Sequence, residues 1–170
     1  MPLTPSVALR PLRSGELAQD WPADSEFDDF GPRDAHLGPP CRLDGDGHLG
    51  VVADGRLVGT MSWTWVGWGP NEASRCPMIG IWLRADARGA GVGTQAQRDL
   101  VDLLFRHTAT NRVQAHTDVT NGAEQRALAK AGFTAEGVVR GGQWRNGSWH
   151  DGRLYSILRS EWRADRAAAG

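Results

Sequence analysis

Val7–Leu12 alternates apolar and polar residues as a half-buried strand does, and Ser14 is placed to cap a short helix through Asp20. From Trp21 to Gly47 the chain turns to Gly, Pro and Asp with no apolar period, which predicts an irregular excursion with one helical turn near Ser25–Phe30. A loop of this length in a compact domain usually carries function or moves. Leu49–Ala53, the Asp54-Gly55 turn signal and Leu57–Val66 read as a β-hairpin. A second loop, Gly67–Cys76, leads to a short strand at Met78–Leu83. Apolar residues at Ala96, Leu100, Leu103, Leu104 and Ala109 then follow a helical period. Arg112–Thr117 predicts a strand, and Ala123–Ala131 a short helix with Gly132 as its C-cap. Val138–Trp144, the Asn146-Gly147 turn and Leu154–Leu158 predict a closing hairpin, after which only a frayed end is expected. The strand–helix–strand unit in the middle demands a parallel pair with a right-handed crossover. The hairpins make the remainder antiparallel, so the expected fold is a mixed α/β sheet with a cleft where the parallel neighbours part.

The 170 residues suit one domain, 1–170, with the excursion at about 21–47. A net charge of -1 gives no field that would favour nucleic acid or an anionic membrane. Cys41, Cys76 and the five histidines share no metal-ligand spacing, so no metal is expected. With no leader pattern at the start and no apolar run of membrane-spanning length, the reading is cytoplasmic.

The informative chemistry lies in Arg84-Ala85-Asp86-Ala87-Arg88-Gly89-Ala90-Gly91-Val92-Gly93-Thr94, between a strand and a helix. Glycines let backbone approach a ligand, and a helix start offers unpaired N–H groups with the positive end of a dipole. Together they favour a phosphate, and Arg88 adds formal charge. The turn lacks the Gly-Lys-Ser/Thr ending of a P-loop. Thr94 occupies the place of the third glycine in the dinucleotide fingerprint.

Ile81-Trp82-Leu83 followed by Arg88–Gly93 resembles the pyrophosphate motif of the GNAT acyltransferases, a strand leading to Arg/Gln-x-x-Gly-x-Gly/Ala. Thr120-Asn121, then Arg126, Lys130 and Gly132-Phe133, resembles the second block of that family. Ala135–Arg140 and Trp149-His150-Asp151 resemble the RimJ/RimL-type branch, which acetylates ribosomal-protein N-termini. The resemblance runs from about Leu57 to Trp162 and implies a GNAT fold. It implies that Gly89, Ala90, Gly91, Val92, Gly93 and Thr94 hold the pyrophosphate of acetyl-CoA or another acyl-CoA, with Arg88 helping. Trp82, Leu83 and Arg84 would pair with the pantetheine arm, and the Leu83 N–H would steady the oxyanion. Asn121 would bond the pantetheine amides, with Arg126 and Lys130 near phosphates. Many members place a tyrosine as acid five residues before the Phe of Gly-Phe. Here that position is Leu128, so the acid is not carried over.

Only a neutral amine attacks a thioester, so its proton needs an acceptor. Candidates are Asp118, taken first, then His116, two residues earlier on the same strand face, and Glu72 in the loop before the central strand. Trp63, Trp65, Trp68 and Tyr155 are candidates for an acceptor-binding wall, against the plainer reading of core packing. The expected acceptor is a small-molecule amine or a peptide N-terminus, and the protein a monomer or homodimer. Two alternatives stay open: an acyl-carrier protein as donor, and a non-catalytic acyl-CoA-binding module.

Overall fold

A computed structural model describes residues 5–16, 24–31 and 41–168. Seven strands form one sheet in the order β1-β2-β3-β4-β5-β7-β6. They are β1 (Val7–Arg10), β2 (Gly47–Ala53), β3 (Arg56–Gly67), β4 (Arg75–Leu83), β5 (Arg112–Asp118), β6 (Thr134–Arg145) and β7 (Ser148–Leu158). Three helices accompany them: α1 (Val92–His107), α2 (Gly122–Lys130) and α3 (Arg159–Ala168). Both hairpin turns take the geometry their sequences dictate. Asp54-Gly55 has φ of 48° and 79°, and Asn146-Gly147 has 49° and 73°. Positive φ at both central residues matches the twist of the flanking strands.

The predicted crossover is present. α1 carries the chain from β4 to β5, and these two strands form the sheet's parallel contact. α1 turns Ala96, Leu100, Val101, Leu104 and Phe105 inward at helical spacing. They join Met61 and Trp63 of β3, Ile79 of β4, Val113 of β5, Leu128 of α2 and Ile157 of β7 in one core cluster. Burying each large apolar side chain contributes roughly 1.5–3 kcal/mol, and this stripe holds α1 against the sheet.

The differences from expectation lie at the margins. Ser14–Glu16 is a turn, and the rest of the helix expected through Asp20 lies outside the described residues. Ser25–Phe30 holds a single turn, closed by Asp28 N–H donating to Ser25 O at 3.1 Å, where one helical turn was expected. The terminal hairpin is longer than its alternation suggested, and α3 follows where a frayed end was expected. α3 docks through Trp162, whose ring meets Phe105 at 5.4 Å and whose Nε1–H donates to Asp102 at 3.1 Å. No helix among the described residues is long and apolar enough to cross a membrane.

Candidate active site

β4 and β5 are paired only at Met78–Gln114 and Ile79–Ala115. Beyond that point they diverge, and a cleft of about 970 Å³ opens between them. Its walls include Gly80–Leu83 of β4, Ala115–Asp118 of β5, the glycine turn, and α2. On the other side β4 stays in register with β3. Arg84 N–H donates to Val58 O at 2.9 Å, marking Val58–Arg84 as a hydrogen-bonded antiparallel pair. Alternation then turns the N–H and C=O of Ile81 and Leu83 away from β3, toward the gap that β5 has left. Trp82 turns its own backbone groups to β3, while Arg84 lies outside the cleft lining and pairs with Asp86.

The glycine turn meets α1 at Gly91, which is the helix N-cap at φ 85° and makes no side-chain cap. The first backbone bond of the helix is Gln95 N–H to Gly91 O. The N–H groups of Val92, Gly93 and Thr94 therefore stand at an uncapped helix start. Nothing lies within 4 Å of where a Cβ would sit on Gly89 or Gly91, so the turn is open. Arg88 crosses beside it. Its guanidinium donates to Leu83 O at 2.6 and 2.8 Å and pairs with Asp24, with Asp28 at 3.7 Å. Arg126 and Lys130 line the cleft from α2 and make no ion pair among the described residues. Asn121 caps α2, its Oδ1 accepting from Glu124 N–H at 3.2 Å.

On β5, Asp118 and His116 both face the cleft but differ in state. Asp118 is buried. Its Oδ1 accepts from Thr120 N–H at 2.7 Å and Thr120 Oγ–H at 2.6 Å, and its Oδ2 accepts from Arg145 with His150 Nδ1 3.4 Å away. Burial pushes this carboxyl up, but the Thr120 hydrogen bonds, Arg145 and His150 outweigh it and hold the group below its ordinary value. His116 has a buried Nε2 with no hydrogen-bond partner among the described residues. Burial, against a smaller upward pull from Asp118, pushes the imidazole below its ordinary value and so favours its neutral form.

The other candidates lie elsewhere. Glu72 is exposed and pairs with Arg75. Trp63 is fully buried, its Nε1–H held by Gly45 O at 2.7 Å, and Trp65 donates to Leu43 O at 3.1 Å. Trp68 covers a separate surface pocket beside Cys76 and Arg112. Tyr155 is buried in the core. None of the four lines the cleft. Instead Ser25, Phe27, Asp28 and Phe30 cover part of it, pinned by Arg145 and Asn146, which both donate to Glu26 O. Among the described residues no cluster of groups fit for a metal occurs.

The acetyltransferase (GNAT) domain family matches residues 8–134. The chain belongs to this family. It is 32% identical over 117 residues to YdaF of Bacillus subtilis (strain 168), named as a ribosomal N-acetyltransferase, covering 69% of this chain and 62% of that protein. It is 34% identical over 113 residues to YjcK of the same organism, named as an N-acetyltransferase, covering 65% of this chain and 61% of that protein. The solved structure of Mycobacterium smegmatis RimJ in complex with CoA-disulfide superposes with a TM-score of 0.62 at 26% identity, covering 69% of this chain and 55% of that one. The chain thus spans less than two thirds of the length of these relatives. For a GNAT domain the diverging β4–β5 pair and the uncapped helix beside it are the expected frame.

Sequence reasoning missed Glu124. It lines the cleft from the first turn of α2, and burial pushes its carboxyl up to about 7, against a hydrogen bond from Gln97. A glutamate three residues after an N-cap reads as a capping residue, and the helix that buries it is 27 positions away.

Proposed function

We propose that this protein moves an acetyl group from acetyl-CoA to a primary amine, on a small molecule or a protein N-terminus. The observation that carries this reading is the parting of β4 from β5 after Ile79 and Ala115, directly beside an uncapped, glycine-lined helix start. An extended pantetheine arm pairs with the outward N–H and C=O of Ile81 and the N–H of Leu83 and so supplies partners that β5 withdraws, the Leu83 C=O being held by Arg88. The pyrophosphate takes the N–H groups from Gly89 to Thr94, and Asn121 meets the pantetheine amides. The cations Arg126 and Lys130, which make no ion pair among the described residues, suit the 3′-phosphate of CoA, which favours CoA over a carrier protein as the donor. The Leu83 N–H steadies the oxyanion.

His116 is the general base in this reading, because it lines the cleft and burial favours its neutral form. Asp118 is a positioning residue, since its oxygens are spent on Thr120 and Arg145. The acceptor enters beneath residues 24–31. Phe27 and Phe30 offer apolar surface there. The names of YdaF and RimJ's branch agree with a peptide N-terminus as one such amine.

Acetyl-CoA at about 100 times its Kd adds roughly 2.7 kcal/mol to stability, a Tm rise on the order of 5–10 °C for a chain of this size. Gly91→Glu, which sets an anion at a position with φ of 85°, abolishes that rise. Arg126→Gln weakens binding of CoA but leaves that of dephospho-CoA unchanged. Amine-dependent thiol release from acetyl-CoA completes the test. No stabilisation by any acyl-CoA would overturn the reading in favour of a carrier-protein donor.

A further inference from the structure

In α2 the residue standing where many GNAT members carry their acid is Leu128, which is buried and does not line the cleft. Glu124 lies four residues earlier, hence on the same helix face and one turn nearer the helix N-terminus. It does line the cleft. Its side chain is not a cap. The Asn121 N–H that a capping glutamate would accept already donates to Asp118 O at 3.0 Å. The carboxyl reaches across to α1 instead, where Gln97 Nε2–H donates to its Oε1. Its Oε2 has no protein partner among the described residues. Gln97, itself 1% exposed and also lining the cleft, keeps a buried Oε1 with no partner among the described residues. Buried polar atoms are rarely left so, and this unmet acceptor marks the corner between α1 and α2 as shaped for a ligand's donor group.

We infer that Glu124 is the catalytic acid that protonates the departing thiolate. This rests on the acetyl-transfer reading above. The amine nitrogen bonds to the thioester carbon and forms the tetrahedral oxyanion. The oxyanion collapses, the C–S bond breaks, and its electron pair goes to sulfur. The Glu124 O–H proton passes to that sulfur, giving the free thiol and a Glu124 carboxylate. The nitrogen's proton goes to His116 and then to solvent, and solvent returns one to Glu124. A carboxyl held at about 7 is substantially protonated at neutral pH, yet more acidic than a thiol near 8.5, so the transfer runs downhill. The titratable and charged groups sharing the cleft with it are Asp28 in the segment over it, Asp118 and His116 on β5, Arg88 before α1, Arg145 on β6, and Arg126 and Lys130 on α2 itself. None of them hydrogen-bonds to Glu124, which leaves burial as the cause of its state.

The test compares wild type with Glu124→Gln, which keeps the shape and the contact to Gln97. The expected result is a kcat lower by about 100-fold, with the Tm rise given by acetyl-CoA and the KM for acetyl-CoA both retained. In wild type kcat falls as pH rises through about 7, and that descending limb is missing in the variant. Retained binding with an unchanged kcat would overturn the acid alone. A wild-type rate that climbs through pH 7, with the climb lost in Glu124→Gln, would make the residue a base and overturn it as well. A wild type that binds no acetyl-CoA would overturn the donor reading and the acid with it.

Discussion

Arg145→Met is expected to cost about 3–5 kcal/mol at neutral pH, because it strands the buried Asp118 carboxylate. Both side chains of the pair are almost fully shielded, at 2% and 4% exposure, so solvent cannot take over the arginine's work. For a chain of this length the Tm falls on the order of 10 °C. The pH dependence identifies the cause. In wild type the folded Asp118 titrates below its unfolded value near 3.9. Its contribution is therefore fully present above that value and is lost as pH falls through the lower, folded one. Without Arg145 the balance shifts toward burial. One of the groups that hold the carboxyl down is gone, so its value rises, and the variant is penalised only while Asp118 is ionised. The gap in Tm between wild type and variant should close as pH is lowered toward 4, and adding Asp118→Asn should recover part of it at pH 7. A gap constant with pH would assign the loss to the Arg145 contacts with Glu26 O and the Phe27 ring, 5.3 Å from the guanidinium, rather than to the charge.

That pair also explains how far the sequence could be read. The turns at Asp54-Gly55 and Asn146-Gly147, the inward stripe of α1 and the glycine-lined helix start are local, set by residues within a few positions of one another. All of them were legible. β6 was underestimated because it is an edge strand exposed along nearly its whole length, so there was little alternation to follow. α3 escaped because one aromatic, Trp162, anchors an otherwise polar helix. The site's electrostatics are non-local. Asp118 meets Arg145 and Glu124 meets Gln97, each across 27 positions. No pattern around Asp118 announces that its oxygens are already taken. The tryptophans follow the same logic. Alternation put Trp63 and Trp65 on one face, but the bonds that tie their indoles to Gly45 and Leu43 belong to the excursion, which has no period to interpret.

Gly152→Ala is expected to cut kcat as deeply as His116→Ala, on the order of 10²–10⁴-fold, the usual worth of a general base. Gly152 lies on β7 opposite Asp118, and the His116 ring rests directly on it. A Cβ there would sit 1.6 Å from His116 Nε2 and 2.1 Å from Cε1, far inside any real contact. The backbone is held on both sides, by β5 and by β6, so the ring must give way. Gly152 thus acts through His116 as a positioning residue, without touching substrate. If so, the two losses do not add, and His116→Ala with Gly152→Ala should be no slower than either variant alone. Two independent injuries would multiply instead and would remove Gly152 from the account of catalysis. The pH profile gives a second check. Burial keeps His116 below its ordinary value, so the midpoint of the ascending acid limb of wild-type kcat should lie below about pH 6.5. A glycine variant that merely loosened the sheet would keep that ascending limb at lower amplitude, whereas one that expels the imidazole loses the limb altogether.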